Sequence, residues 1–144
     1  MTNKAKGKRE KSPLAVIRKA VEAAKKAGYT IVCGDWGVEW DESAKRWVSP
    51  SKCCCPLGAV LLLHQPNRVC DSYVESLAKH LEVSGGWIVG FFAAIDREPF
   101  PFGSRLTDKE RRAGYGAGLT LRKKLGRMRR FDTASLLFAK KNEK

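Results

Sequence analysis

One stretch limits the possible folds more than any other. Residues 85–95 read GGWIVGFFAAI. Wound as a helix, Trp87, Ile88, Val89, Phe91, Phe92, Ala93 and Ile95 leave it apolar nearly all round, and such a helix must be buried. The remaining chain therefore has to supply elements that cover it. At 144 residues the chain is long enough to do so, since a domain of this size removes roughly two thirds of its unfolded surface from water. Neither a disulfide framework nor a metal is required for folding.

Punctuation residues place the covering elements. Ser12-Pro13 gives a hydroxyl cap followed by proline at the first helical position. Leu14, Ile17, Val21 and Ala24 follow at helical spacing, and Gly28 supplies the stop. The period then changes. Tyr29 to Cys33 is rich in strand formers, Gly34-Asp35 offers a turn, and Trp36, Val38 and Trp40 alternate with Gly37 and Glu39. A third short strand is expected around Arg46-Trp47-Val48. Ser49 to Lys52 reads as a linker, and Cys55-Pro56 opens an apolar helix to about His64. Ser72 with Glu75 has the form of a capping box for a helix from Tyr73, and Ser84 caps the helix at 85–95. Thr107 with Glu110 makes a second capping box for the longest helix, to about Leu125. Its Gly114, Gly116 and Gly118 are costly in a helix, which suggests close approach of another element. Gly126 stops it, or the helix runs on to Arg130. Asp132-Thr133 caps a last short helix.

The expected fold is thus α+β and mostly helical. Five or six helices surround a buried central helix at about 85–95, with a two- or three-stranded antiparallel sheet at about 29–49. Residues 1–11, with five Lys/Arg and no large apolar side chain after Met1, read as a disordered basic tail. Residues 12–144 read as a single compact domain.

The net charge is +13, and it is unevenly spread. Residues 1–30 carry nine Lys/Arg against two Asp/Glu, residues 31–100 six against nine, and residues 101–144 thirteen against four. Two basic ends flank a mildly acidic centre, a pattern that suits a polyanionic partner and also favours solubility. No apolar run reaches the ~20 residues that span a bilayer, and no apolar signal region follows the charged N-terminus. A cytoplasmic protein without membrane contact is expected. Five cysteines, three of them consecutive, read as reduced thiols.

Several candidate sites follow from these residues. The segment 122–130 is basic at six of nine positions: Arg122, Lys123, Lys124, Arg127, Arg129 and Arg130. Guanidinium forks and ammonium groups suit phosphate, and neutralising phosphates releases counterions. Lys19 and Lys26, on the first helix, would add to this nucleic-acid surface. The bland alternative is a solvated helix face. Trp36, Trp40 and Trp47 could hold a base or a nucleotide-like ligand, or else form a core edge. Cys53, Cys55, His64 and Cys70 could in principle ligate zinc, although their spacing matches no common pattern. Otherwise no cofactor is indicated. Cys54 or Cys55 at a helix start could be a reactive thiol, with His64 or His80 as a base, or simply an apolar core residue. The loop Arg97 to Arg105 sets two phenylalanines beside two arginines, suited either to a partner or to plugging the core.

Within Ser76 to Ala93, the succession Ala78, Glu82, Val83-Ser84, Ile88 and Phe91 resembles the spacing of helix–turn–helix DNA-binding motifs. That resemblance implies a second helix reading the major groove. Gly85, Gly86 and Trp87 at its start provide no base-reading side chain, and Glu82 stands where that family usually has glycine. A buried helical hairpin is the better expectation.

No P-loop, dinucleotide fingerprint, nucleophile elbow or zinc-protease motif is present. The leading expectation is a non-enzymatic protein that binds nucleic acid through phosphate contacts. The alternatives are a protein–protein adaptor or inhibitor of phage or bacterial type, and a binder of a small nucleotide-like ligand.

Overall fold

The computed structural model describes residues 12–69, 72–98 and 108–130. The basic tail, the loop from Pro99 to Arg105, the Thr107 cap, the helix after Asp132 and Cys70 lie outside the described residues.

The described residues form an α+β, mostly helical fold. Helix α1 spans Pro13–Lys26, α2 Pro56–His64, α3 Tyr73–Leu81, α4 Gly85–Ile95 and α5 Asp108–Leu125. Strands β1 (Thr30–Cys33), β2 (Glu39–Asp41), β3 (Arg46–Val48), β4 (Cys53–Cys54) and β5 (Arg129–Arg130) complete it. Side-chain caps start four of the helices. Ser12 Oγ accepts from the Ala15 amide, Ser72 Oγ from Glu75 and Ser84 Oγ from Trp87. Helix α2 uses a thiol in this role: Cys55 Sγ accepts from the Gly58 amide at 3.2 Å.

Helix α4 buries Trp87, Ile88, Gly90, Phe91, Ala94 and Ile95, largely against α5. The approach is close enough to exclude side chains from the contact. A Cβ added at Gly90 would stand 2.1 Å from the Arg111 carbonyl oxygen, and one at Gly118 2.7 Å from that of Phe91. Gly116 meets nothing within 4 Å, so of the three helix glycines it alone is not required by packing. Residues Ile17, Ala20, Val21 and Ala24 of α1 and Leu57, Val60 and Leu61 of α2 enter the same core.

The antiparallel sheet expected at about 29–49 has two strands. The antiparallel pairing within residues 29–49 is the hairpin β2–β3, in which Trp40 opposes Trp47. Strand β1 is not its neighbour. It lies between β4 and β5, parallel to both. The physical reason is visible in the chain. Gly34 and Gly37 have φ of 97° and 75°, so residues 34–38 bend away as a loop and the alternation at Trp36 and Val38 is not that of a strand. Ile31, Val32 and Cys33 are buried in succession, as parallel strands covered on both faces are. Gly37 also cannot be replaced without strain, because a Cβ there would lie 2.3 Å from the Cys53 carbonyl.

Gln65 fastens the hairpin to α2. It ends that helix with φ 48°, and its side chain behaves like a neighbouring strand. The Trp47 amide donates to Gln65 Oε1 at 2.7 Å, while Gln65 Nε2 donates to the carbonyls of Trp47 and Leu62 at 2.8 and 2.9 Å. The outward backbone groups of β3 are thereby satisfied without another strand.

Candidate nucleic-acid interface

The basic segment 122–130 does not continue as a helix to Arg130. Gly126 adopts φ 78°, which only glycine enters cheaply, and the chain beyond it is extended. Side chains then alternate: Met128 is buried while Arg127 and Arg129 are exposed. The Met128 carbonyl lies 3.9 Å from the Cys33 thiol that donates to it, and pairing of Val32 with Arg129 and Cys33 with Arg130 fixes β5 on β1.

This arrangement creates a cleft of about 690 Å³ lined by Cys33, Asp96, Arg97, Arg127, Met128 and Arg129. Three chain regions converge there, at residues 33, 96–97 and 127–129. Arg97 follows the C-cap of α4 with φ 62°. Asp96 is 6% exposed, and its Oδ1 accepts from the Gly34 amide at 2.7 Å. That bond ties the end of β1 to the end of α4. The cleft lies beside Cys33, the last residue of β1. Arg129 Nη2 also reaches Cys53 Sγ, 3.9 Å away.

The other basic candidates are placed separately. Arg122 is half-buried and donates to the Ala94 carbonyl at 2.8 Å, so part of its role is to bind α5 to the last turn of α4. Lys123 and Lys124 are exposed in the last turn of α5. Lys26 is exposed at the end of α1, and Lys19 lines a different hollow with Ala15, Val16 and His64. Arg130 lies in β5.

The tryptophans are drawn into packing. Trp47 is 1% exposed, and its Nε1 donates to the Pro66 carbonyl at 2.9 Å. Trp40 meets it edge-on at 5.3 Å, and Tyr73 does so from the other side at 5.2 Å. Trp36 stacks on Phe92 at 4.7 Å. Tyr73 also meets Trp36 at 5.1 Å, so the three tryptophans belong to one aromatic chain running from Trp40 through Trp47, Tyr73 and Trp36 to Phe92 of α4, with Trp36 and Trp40 partly buried.

Of the two readings of Cys54 and Cys55, their complete burial favours the apolar core residue over the reactive thiol. Burial pushes the Cys54 thiol up to about 12. It raises Cys55 further, outweighing the Gly58 amide that would favour a thiolate. A helix N-terminus lowers a thiol pKa only where the charge can be solvated, and Cys55 is completely enclosed. His64 and His80 do not approach these thiols as bases. They face each other, with Nδ1 of His64 2.9 Å from Nε2 of His80. Among the described residues no three His, Cys, Asp or Glu side chains gather as a metal site would require. Cys53, Cys55 and His64 are accordingly not brought together.

The helix–turn–helix spacing has a physical counterpart. Glu82 ends α3 in the left-handed region, φ 60° and ψ 47°, where glycine would normally stand. The following helix is α4, and its buried face is occupied mainly by α5 rather than by α3. Sequence reading did not foresee Arg97, Asp96 and Cys33 as neighbours of the basic segment. The one signal available was the Gly126 stop followed by the alternation Arg127-Met128-Arg129.

No model of a known protein family, no curated protein sequence and no solved structure matches this chain. Among the described residues, no helix is long and apolar enough to cross a membrane.

Proposed function

We propose that this domain is a binding module for nucleic acid, which it engages through phosphate contacts at the arginine cleft. The observation that carries the reading is the convergence of Arg97, Arg127 and Arg129 from separate parts of the chain on one hollow. Lys123 and Lys124 lie exposed on the turn of α5 that leads into it. Guanidinium groups offer paired donors to phosphate oxygens and remain charged at all physiological pH values. A binding role is favoured over a catalytic one because burial keeps Cys54 and Cys55 protonated and the two histidines pair with each other.

Affinity gained by displacing counterions depends steeply on salt. Each phosphate neutralised steepens the slope of log affinity against log salt by about 0.9 on a duplex, so Arg97, Arg127, Arg129, Lys123 and Lys124 together set a limit of about −4.5. Titration of the protein with a mixed-sequence duplex and with a single strand at several salt concentrations tests this. Lack of binding at low salt removes the proposal.

A further inference from the structure

We infer that the arginine cleft is built for a terminal phosphate monoester, the dianionic group carried by a 5′-nucleotide or by the 5′ end of a nucleic-acid strand. The inference deepens the reading above by naming the phosphate species taken at the same site. Two observations carry it. The first is charge balance. Among the described residues that line it, Arg97, Arg127 and Arg129 contribute three positive charges and Asp96 one negative. An internal phosphodiester carries one negative charge, whereas a monoester carries ≈ −1.5 to −2 near neutral pH. A surface that tracks a backbone instead spreads its cations along a strip.

The second observation is size and shape. Among the described residues the hollow is open to the surface and measures about 690 Å³, within the roughly 300–1,000 Å³ of small-ligand clefts. It has room for one nucleotide, and no duplex fits inside it. The walls are also held in place. Asp96 is fixed to the Gly34 amide and Arg129 lies on Cys53, while Met128 anchors the strand carrying Arg127 and Arg129. Preorganised donors lose less freedom on binding.

The test compares paired ligands at one salt concentration: 5′-AMP against adenosine, and a 5′-phosphorylated 12-mer single strand against the same strand with a 5′-hydroxyl. Within each pair the phosphorylated member should bind about 10- to 100-fold more tightly, the range for adding charge-assisted hydrogen bonds. R127A and R129A should bring that ratio towards one while keeping the wild-type melting temperature, and K79A should leave the ratio unchanged. Equal binding of both strands, or a ratio unaffected by R127A and R129A, overturns the terminal-phosphate inference. If the 5′-hydroxyl strand still binds in that case, the phosphate-backbone reading stands. Binding of 5′-AMP without binding of either strand sustains the inference and removes nucleic acid as the partner.

Discussion

Gly114 of α5 rests directly on the backbone of Trp87 in α4: a Cβ built at position 114 would stand 1.9 Å from the Trp87 carbonyl oxygen. Both sides of that contact are helix backbone, which cannot rotate aside as a side chain can. G114A should therefore force the helices apart and cost about 3 kcal/mol or more. G116A is its control, since nothing lies within 4 Å of the added Cβ. There alanine should stabilise by about 1 kcal/mol through helix propensity. Chemical denaturation of the two variants checks both signs.

Gln65 replaces a strand at the outer edge of β3. Changing it to leucine leaves the Trp47 amide and carbonyl without those partners, at about 1–3 kcal/mol for each buried group. Q65L should thus destabilise the domain by about 2–4 kcal/mol. A loss within a few tenths of a kcal/mol, measured by denaturation, would contradict the strand-like role.

Thiol reactivity should follow burial. Cys53 is half-buried, whereas Cys33, Cys54 and Cys55 are buried. Among the described cysteines of the native protein at pH 8, iodoacetamide should modify Cys53 first. Cys54 and Cys55 should react only when the chain unfolds, because the thiolate is the reactive form and burial raises both pKa values. Peptide mass spectrometry after timed alkylation gives the order.

The pair His64–His80 makes stability depend on pH. Burial lowers both imidazoles below the ordinary value of 6.5, and each neutral ring suits the hydrogen bond they share; for His64 the charge of its partner adds to the effect. The folded state thus binds protons less readily than the unfolded chain. Its contribution is complete above pH 6.5 and is lost as pH falls through the lowered folded values. Melting temperatures measured from pH 8 to pH 5 should fall at the acid end, and H64Q should flatten that part of the profile.

Most of the helical framework was legible because its signals are local. Ser12-Pro13, Cys55-Pro56, Ser72 and Ser84 each announce a helix start within three or four residues, and the apolar run at 85–95 marks a helix that is buried on one side, with Val89, Phe92 and Ala93 only partly covered. The sheet was not legible in the same way. β1 pairs with residues about one hundred positions away, and no local alternation encodes such a pairing. The tryptophans showed a period of two, yet Gly34 and Gly37 had already turned the chain, so Trp36 stacks on Phe92 and not beside Trp40. The charge in 122–130 was plain. Its arrangement depended on the left-handed Gly126, after which the chain is extended and Arg127 and Arg129 line one hollow with Arg97.

The most direct test of the cleft as the phosphate-binding surface is the salt dependence of single-strand binding by R127E/R129E, beside K79E/K109E. The two variants change net charge equally, but Lys79 and Lys109 stand exposed on α3 and α5 and do not line the cleft. The account predicts that R127E/R129E weakens binding and makes the log–log salt slope shallower by about two, with K79E/K109E close to wild type in slope. Equal losses in both variants would mean that overall charge, and not the cleft, attracts the polyanion, and would contradict the account.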